Sequence, residues 1–249
     1  MPEAHRDRYL AWDACYNIRD VGGYPTESGG QIRWRTLVRA DNLNRLTDDG
    51  QAALLDYGLR TIIDLRLAEE LETYPNPWAA REGVEGAPRY LHLPLHYAED
   101  TEAIDAASPT QGDYIVILEK SRALVAMVIK AVAAALQEGG VLVHCHGGKD
   151  RTGIVVALLL SLAGVPRQTI AEDYALSETL LESANVAWLE EQSRIQGQPV
   201  ERPLWMYSPP EKMRALLDYL DREYGGVEGY LEATGVTPAE MHQIRQALT

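Results

Sequence analysis

Cys145 and Arg151 are separated by five residues in the run Val143-His144-Cys145-His146-Gly147-Gly148-Lys149-Asp150-Arg151-Thr152-Gly153. A cysteine thiolate is a nucleophile, and a guanidinium is a planar fork that holds two phosphate oxygens. A loop of this length between a strand and a helix can curl so that successive backbone N–H groups point at one centre. The first turn of the following helix adds its own free N–H groups and its positive dipole end. Gly147 and Gly148 permit backbone angles that a side chain would resist. Together these residues suit attack by the Cys145 sulfur on the phosphorus of a bound phosphate dianion, with His146, Gly147, Gly148, Lys149, Asp150 and Arg151 as the phosphate-binding set.

The nucleophile must be a thiolate, and a free thiol of pKa about 8.5 is only a few per cent ionised at neutral pH. A helix terminus contributes only about 0.3–2 kcal/mol towards ionisation. Several loop amides, the Arg151 charge and the Thr152 hydroxyl must therefore share the load if Cys145 is ionised at neutral pH. Taken singly, the parts are ordinary: a cysteine after an apolar strand is usually a small buried hydrophobe, and an arginine is usually on the surface. His144-Cys145-His146 has no matching ligand pair at zinc spacing elsewhere in the chain, so no metal is expected. Gly148-Lys149 is not a nucleotide-binding loop, since Asp150 and Val143 stand where that motif needs Ser or Thr and Gly.

A strand must precede such a loop and a helix must follow it. Val141-Leu142-Val143, after the Gly139-Gly140 break, supplies the strand, and an apolar helical run over 153–162 follows. Leu118, Val125, Val128, Ile129, Val132 and Leu136 predict one long helix over about 113–137. Upstream, 61–65 and 89–95 read as strands, and 31–33 with 37–39 as a small hairpin. Thr47 reads as an N-cap, with Asp48 and Asp49 in the first turn and Gly58 beyond the end. Helical patterns occupy about 169–177, 179–196, 209–224, 227–234 and 238–248. Strands alternating with helices, then helices only, predict one α/β domain over residues 1–249, with a central, mostly parallel sheet and a helix-rich C-terminal half.

Composition narrows the function class. The 249 residues include 23 basic and 37 acidic ones, a formal net charge of −14, which would repel nucleic acid. Two cysteines, Cys15 and Cys145, cannot build a disulfide framework and suit a reducing compartment. No apolar run approaches the roughly 20 residues of a spanning helix, and residues 1–13 do not read as a signal peptide. A cytoplasmic location is expected.

The loop His144 to Gly153 resembles that of bacterial atypical tyrosine phosphatases with dual protein and lipid activity, which reads His-Cys-x-x-Gly-Lys-Asp-Arg-Thr-Gly. Asn17-Ile18-Arg19-Asp20-Val21-Gly22-Gly23-Tyr24, Arg39-Ala40-Asp41, Ile63-Asp64-Leu65-Arg66, Asp173-Tyr174-Ala175-Leu176-Ser177 and the stretch Tyr224-Gly225 to Tyr230-Leu231 are similar to that family as well. The resemblance implies a cysteine-phosphatase-like fold, no cofactor, and two steps through a phosphocysteine. The substrates it implies are phosphotyrosine proteins, with phosphoserine, phosphothreonine or phosphoinositides as further ones, and the product is inorganic phosphate.

Arg151 would hold the equatorial oxygens through both steps. A general acid must protonate the leaving oxygen. The resemblance places Asp150 in that role, with Asp64 as the alternative, or else as a carboxylate that orients Arg66. Lys149 would attract the extra phosphates of an inositol head group, or simply raise the local potential. His144 would orient the loop, and His146 would contact substrate. Arg19 and Arg66 would assist anion binding or form salt bridges. Cys15 would protect Cys145 as a reversible disulfide, and the segment 99–112 would contribute to a lid. Two competing classes are a phosphate-dependent binding module with a decayed site and a rhodanese-type sulfurtransferase. Intact Cys145, Arg151 and Thr152 argue against the first, and the Arg-Thr-Gly after the loop argues against the second.

Overall fold

Val141, Leu142 and Val143 are wholly buried, as expected of a strand covered on both faces. In the computed structural model, which describes residues 7–81, 83–107 and 112–249, they lie in the central strand of a five-stranded sheet. The strands are β1 (Arg19–Asp20), β2 (Leu37–Ala40), β3 (Leu59–Asp64), β4 (Arg89–His92) and β5 (Gly140–His144), in the order β1-β2-β5-β3-β4. Only the β1–β2 pair is antiparallel. The carboxyl ends of β2, β5 and β3 therefore lie side by side, with Ala40 and Asp64 both in register with His144. In open α/β sheets, ligands bind outside these ends.

The helices are α1 (Asp48–Asp56), α2 (Ala68–Thr73), α3 (Thr101–Ala107), α4 (Asp113–Lys120), α5 (Arg122–Ala135), α6 (Asp150–Leu162), α7 (Arg167–Leu180), α8 (Glu182–Gln196), α9 (Pro210–Tyr224), α10 (Val227–Ala233) and α11 (Pro238–Leu248). Alternation along the strands sorts the core into two layers. Leu37, Ile63, Val141 and Val143 pack with the long C-terminal helices. Val38, Ile62 and Leu142 pack with Trp12, Cys15, Ile18 and Trp78 on the other face. Phenylalanine is absent, and Trp78, Tyr24, Tyr114, Tyr174 and Tyr230 are large, fully buried rings.

The α/β class and the helical C-terminal half match the sequence expectation, but several elements differ. The long helix over 113–137 is two helices, because Ser121 leaves helical geometry at φ −112° and ψ 29°. Serine competes with the helix backbone for hydrogen bonds, while the apolar spacing runs on because both helices face the same core. Residues 31–33 form no hairpin with β2. Gln31 makes only an isolated bridge to Pro25, and Arg33 donates its backbone N–H to Leu248 at the C-terminus. The Thr47 cap forms as expected, accepting from the Gly50 N–H. Helix α6 begins at Asp150 rather than 153, so Asp150, Arg151 and Thr152 form its first turn.

Of the segment 99–112, residues 108–111 lie outside the described residues; the rest carries α3, which packs against α4, and is not among the residues lining the cavity described below. The N-terminal expectation for 1–13 likewise falls partly outside them. No helix among the described residues is long and apolar enough to cross a membrane.

Candidate active site

The loop between β5 and α6 is clamped from outside through its carbonyls. His144 C=O accepts from the Leu65 N–H at 2.9 Å, and His146 C=O from the Asn42 N–H at 2.9 Å. Gly147 C=O accepts from Asn17 Nδ2 at 2.9 Å, and Gly148 C=O from Arg39 Nη2 at 2.7 Å. Lys149 C=O takes the Gly153 N–H at 2.8 Å, and Cys145 C=O meets His144 Nδ1 at 3.1 Å. In a trans peptide the N–H points opposite to the preceding C=O. With these carbonyls turned outward, the amides that follow them turn inward, towards one centre.

The clamp is itself braced. Arg39 Nη1 donates to Asp173 Oδ2 at 2.5 Å. Arg19 Nε donates to Asp173 Oδ1 at 2.8 Å, and Arg19 Nη1 to Asn17 Oδ1 at 2.5 Å. Burial works against the Asp173 charge, but Arg19 and Arg39 hold its carboxyl well below the usual range. Arg19 is therefore a scaffold for the loop, not a ligand for the anion.

Arg66 is a scaffold too. It pairs with Asp64 through Nε at 2.9 Å and Nη2 at 2.6 Å, and its Nη1 donates to Asn42 Oδ1 and Tyr74 C=O. This is the geometry of a carboxylate that orients Arg66. Asp64 is fully buried, receives Tyr90 and Asn76 as well, and lies 3.2 Å from His144 Nε2. Burial opposes its charge, yet His144 and Arg66 hold the carboxyl well below the usual range. Asp64 is not among the residues that line the cavity.

Cys145, Gly147, Lys149, Asp150 and Arg151 instead line one cavity of about 610 Å³. The Asp150 side chain is 42% exposed, so it can meet a leaving group. Its Oδ1 accepts from the buried Tyr114 hydroxyl, which lies 2.9 Å from the Tyr174 hydroxyl. Lys149 Nζ is 3.6 Å from Asp150 Oδ2. That ammonium is only 6% exposed and donates to the Trp205 and Tyr207 carbonyls. His146 lines the cavity with its ring edge-on to Tyr74 at 5.1 Å. The Thr152 hydroxyl is buried without a hydrogen-bond partner among the described residues.

The glycines differ: Gly148 has φ +63° and needs its conformational freedom, while Gly147 does not lie in the left-handed region. Cys15 and Cys145 are both free, and Cys15 sits in the opposite core layer. Burial first, then Asp41 and Asp13, push the Cys15 thiol up. The wall facing the loop is α8 with residues before and after it: Leu181, Ala184 and Trp188 line the cavity beside Trp205 and Met206. Trp188 and Trp205 stack edge-on at 5.3 Å on its rim. Ala184, Asn185, Ala187 and Trp188 form a one-sided cavity-lining row on α8, which the helical pattern over 179–196 does not single out. Glu70, which pairs with the Arg151 guanidinium, and Tyr114 were also missed, and neither lies in a quoted motif.

Among the described residues, no group of three or more His, Cys, Asp or Glu side chains is placed to hold a metal ion. The chain is 36% identical over 222 residues to a tyrosine-protein phosphatase of Nostoc commune, covering 85% of this chain and 74% of that protein. It is 26% identical over 277 residues to the triple specificity protein phosphatase PtpB of Mycobacterium tuberculosis, covering 94% and 96%. The crystal structure of P. aeruginosa TpbA shows a slighter likeness: 22% identity and a TM-score of 0.36, over 57% of this chain and 68% of that one. The sequence model of the tyrosine phosphatase family matches residues 10–249, and by that match this chain belongs to the tyrosine phosphatase family.

Proposed function

We propose that the chain is a single phosphatase domain that hydrolyses phosphotyrosine in proteins through a phosphocysteine, without a metal. The observation that carries this reading is the inverted loop: outward carbonyls, inward amides, the Cys145 sulfur at the cavity and Arg151 in the first turn of α6. The amides, the helix end and Arg151 place positive potential where a phosphate dianion would sit. Cys145 Sγ attacks phosphorus as the bond to the tyrosyl oxygen breaks. Asp150 gives that oxygen a proton. A water then attacks the phosphocysteine, Asp150 takes its proton, and inorganic phosphate leaves with the thiolate restored.

Phosphoinositide hydrolysis finds less support, since two of the three Lys149 donors go to backbone carbonyls and Asp150 Oδ2 lies 3.6 Å from the ammonium. The name of the Mycobacterium relative keeps phosphoserine and phosphothreonine peptides in the test. The test is hydrolysis of p-nitrophenyl phosphate with EDTA present, wild type against Cys145→Ser, followed by phosphopeptides against phosphoinositide vesicles. Loss of turnover in the variant is expected. Equal turnover in both proteins, or none in the wild type, overturns the reading.

A further inference from the structure

A buried lysine stands behind Asp150. Lys212, in the first turn of α9, has a side chain only 11% exposed, and its Nζ donates to Asp113 Oδ2 at 2.6 Å. The same ammonium lies 4.2 Å from the centre of the Tyr114 ring, within reach of a cation–π contact. It is 3.9 Å from Asp150 Oδ1, too far for a hydrogen bond. Asp113 and Asp150 are the first residues of α4 and α6, so three helices meet at this one ammonium. A cation in the first turn opposes the helix dipole, so α9 itself does not favour a lysine there. Lys212, Asp113 and Tyr114 are not among the residues that line the cavity.

The ammonium holds the Tyr114 ring by its face, and Tyr174 packs against the same ring edge-to-face at 6.1 Å. A ring held on two sides keeps its hydroxyl on Asp150 Oδ1. With Oδ1 engaged from behind, Oδ2 is the oxygen left to carry a proton to the leaving group, and Lys149 Nζ stands 3.6 Å from it, beyond hydrogen-bond length. We infer that Lys212 is a positioning residue for the acid and acts through Tyr114: it fixes the ring whose hydroxyl aims the Asp150 carboxyl. The inference rests on the phosphatase reading above, with Asp150 as its acid.

The charges around the lysine support it. Burial first, and the nearby Asp150 charge as well, push the Asp113 carboxyl up, against the pull of Lys212. Asp113 Oδ1 has no hydrogen-bond partner among the described residues, so Lys212 is the cation that balances this carboxylate. Without it, a second carboxylate would face the acid with no cation between them.

The test compares phenyl phosphate with p-nitrophenyl phosphate, whose leaving group needs a proton less, in wild type, Lys212→Ala, Tyr114→Phe and the two combined, with thermal unfolding alongside. Lys212→Ala is expected to lower kcat for phenyl phosphate about tenfold, part of the roughly 100- to 10,000-fold a positioned acid supplies, and for p-nitrophenyl phosphate by less than about threefold. Added to Tyr114→Phe, it should lower the ratio of the two rates no further, since both changes act through one hydroxyl. Lys212→Arg keeps a cation over the ring and should recover part of the loss. A role limited to joining α9 to α4 would lower the unfolding midpoint and leave the ratio of the folded enzyme at its wild-type value. An unchanged ratio, or a loss that adds in full to that of Tyr114→Phe, overturns the inference. If Lys212→Ala does not fold because Asp113 is left unpaired, Asp113→Asn with Lys212→Ala removes both charges and is held to the same outcomes. Should the wild type not turn over, or keep its turnover in Cys145→Ser, the phosphatase reading falls first. Should Asp150→Asn slow both substrates equally, the acid assignment falls first, and the inference falls with either.

Discussion

Replacing Gly148 with alanine puts a methyl group where the chain has no room. A Cβ at this position would lie 2.3 Å from Ala40 O and 2.5 Å from both Ala40 C and Asp41 N, all backbone atoms of the β2 end. The residue is also at φ +63°, which costs an L-side chain about 1–2 kcal/mol before any overlap. Backbone in a paired strand cannot rotate away, so the loop itself must retreat by about 1 Å, and a misplacement of that size at a catalytic centre costs on the order of 100-fold in rate. Gly147 is the internal control. Its nearest neighbour would be Leu181 Cδ1 at 3.9 Å, an ordinary contact, and its φ is not left-handed. We expect Gly148→Ala to lose about 100-fold or more in p-nitrophenyl phosphate turnover while the protein still unfolds cooperatively, and Gly147→Ala to stay within about threefold of wild type. The assay is steady-state turnover alongside thermal unfolding of both variants. A folded Gly148→Ala with wild-type kcat, or equal losses in both, would refute the geometry of the loop.

Three further outcomes are expected. Tyr114→Phe removes the hydroxyl that holds Asp150; phenyl phosphate turnover should fall about tenfold, part of the roughly 100- to 10,000-fold a positioned acid supplies, and p-nitrophenyl phosphate less, since its leaving group needs a proton less. An equal fall for both substrates would count against Asp150 as the acid. Asp173→Asn breaks the buried pairs to Arg19 and Arg39, and denaturant unfolding at pH 7 should show a loss of about 3–5 kcal/mol. Because the Asp173 carboxyl is depressed in the folded protein, its stabilisation is complete above the unfolded value of about 3.9 and is lost as pH falls below it. The gap between wild type and variant should therefore close on acidification, and a gap that widens would contradict the assignment. Iodoacetamide should label Cys145, which opens on the cavity, before Cys15, whose thiol is pushed up by burial; peptide mass spectrometry reads the order, and prior labelling of Cys15 would reverse it.

The α/β class was legible because β5 holds the apolar run Val141-Leu142-Val143, β3 centres on Ile62-Ile63, and the C-terminal helices keep a 3.6-residue spacing. The loop was legible because Cys145, Gly148, Asp150 and Arg151 are neighbours in the chain, and local spacing alone places them between strand and helix. Residues that act through tertiary contact were not. Arg19 and Arg66 stood out as basic residues in motifs, but a charge in a sequence does not say which carboxylate meets it, and both are fully engaged behind the loop. Glu70 and Tyr114 lie 81 and 36 residues from the groups they hold, with no local pattern to flag them. The break at Ser121 was hidden because apolar periodicity reports which face is buried, not whether the backbone is continuous.

The outward carbonyls carry a consequence for when activity can appear. The groups that grip the loop are remote in the chain: Asn17 lies 130 residues from Gly147, Arg39 lies 109 from Gly148, and Arg19 reaches its brace at Asp173 across 154. Contacts of such separation form late, after the entropy of closing long loops has been met. A nascent chain that has just completed Cys145 and Arg151 still lacks Asp173, so its loop has no brace and its amides no common centre. The reactive centre is thus assembled by the finished fold, and turnover serves as a report that folding of the whole chain is complete.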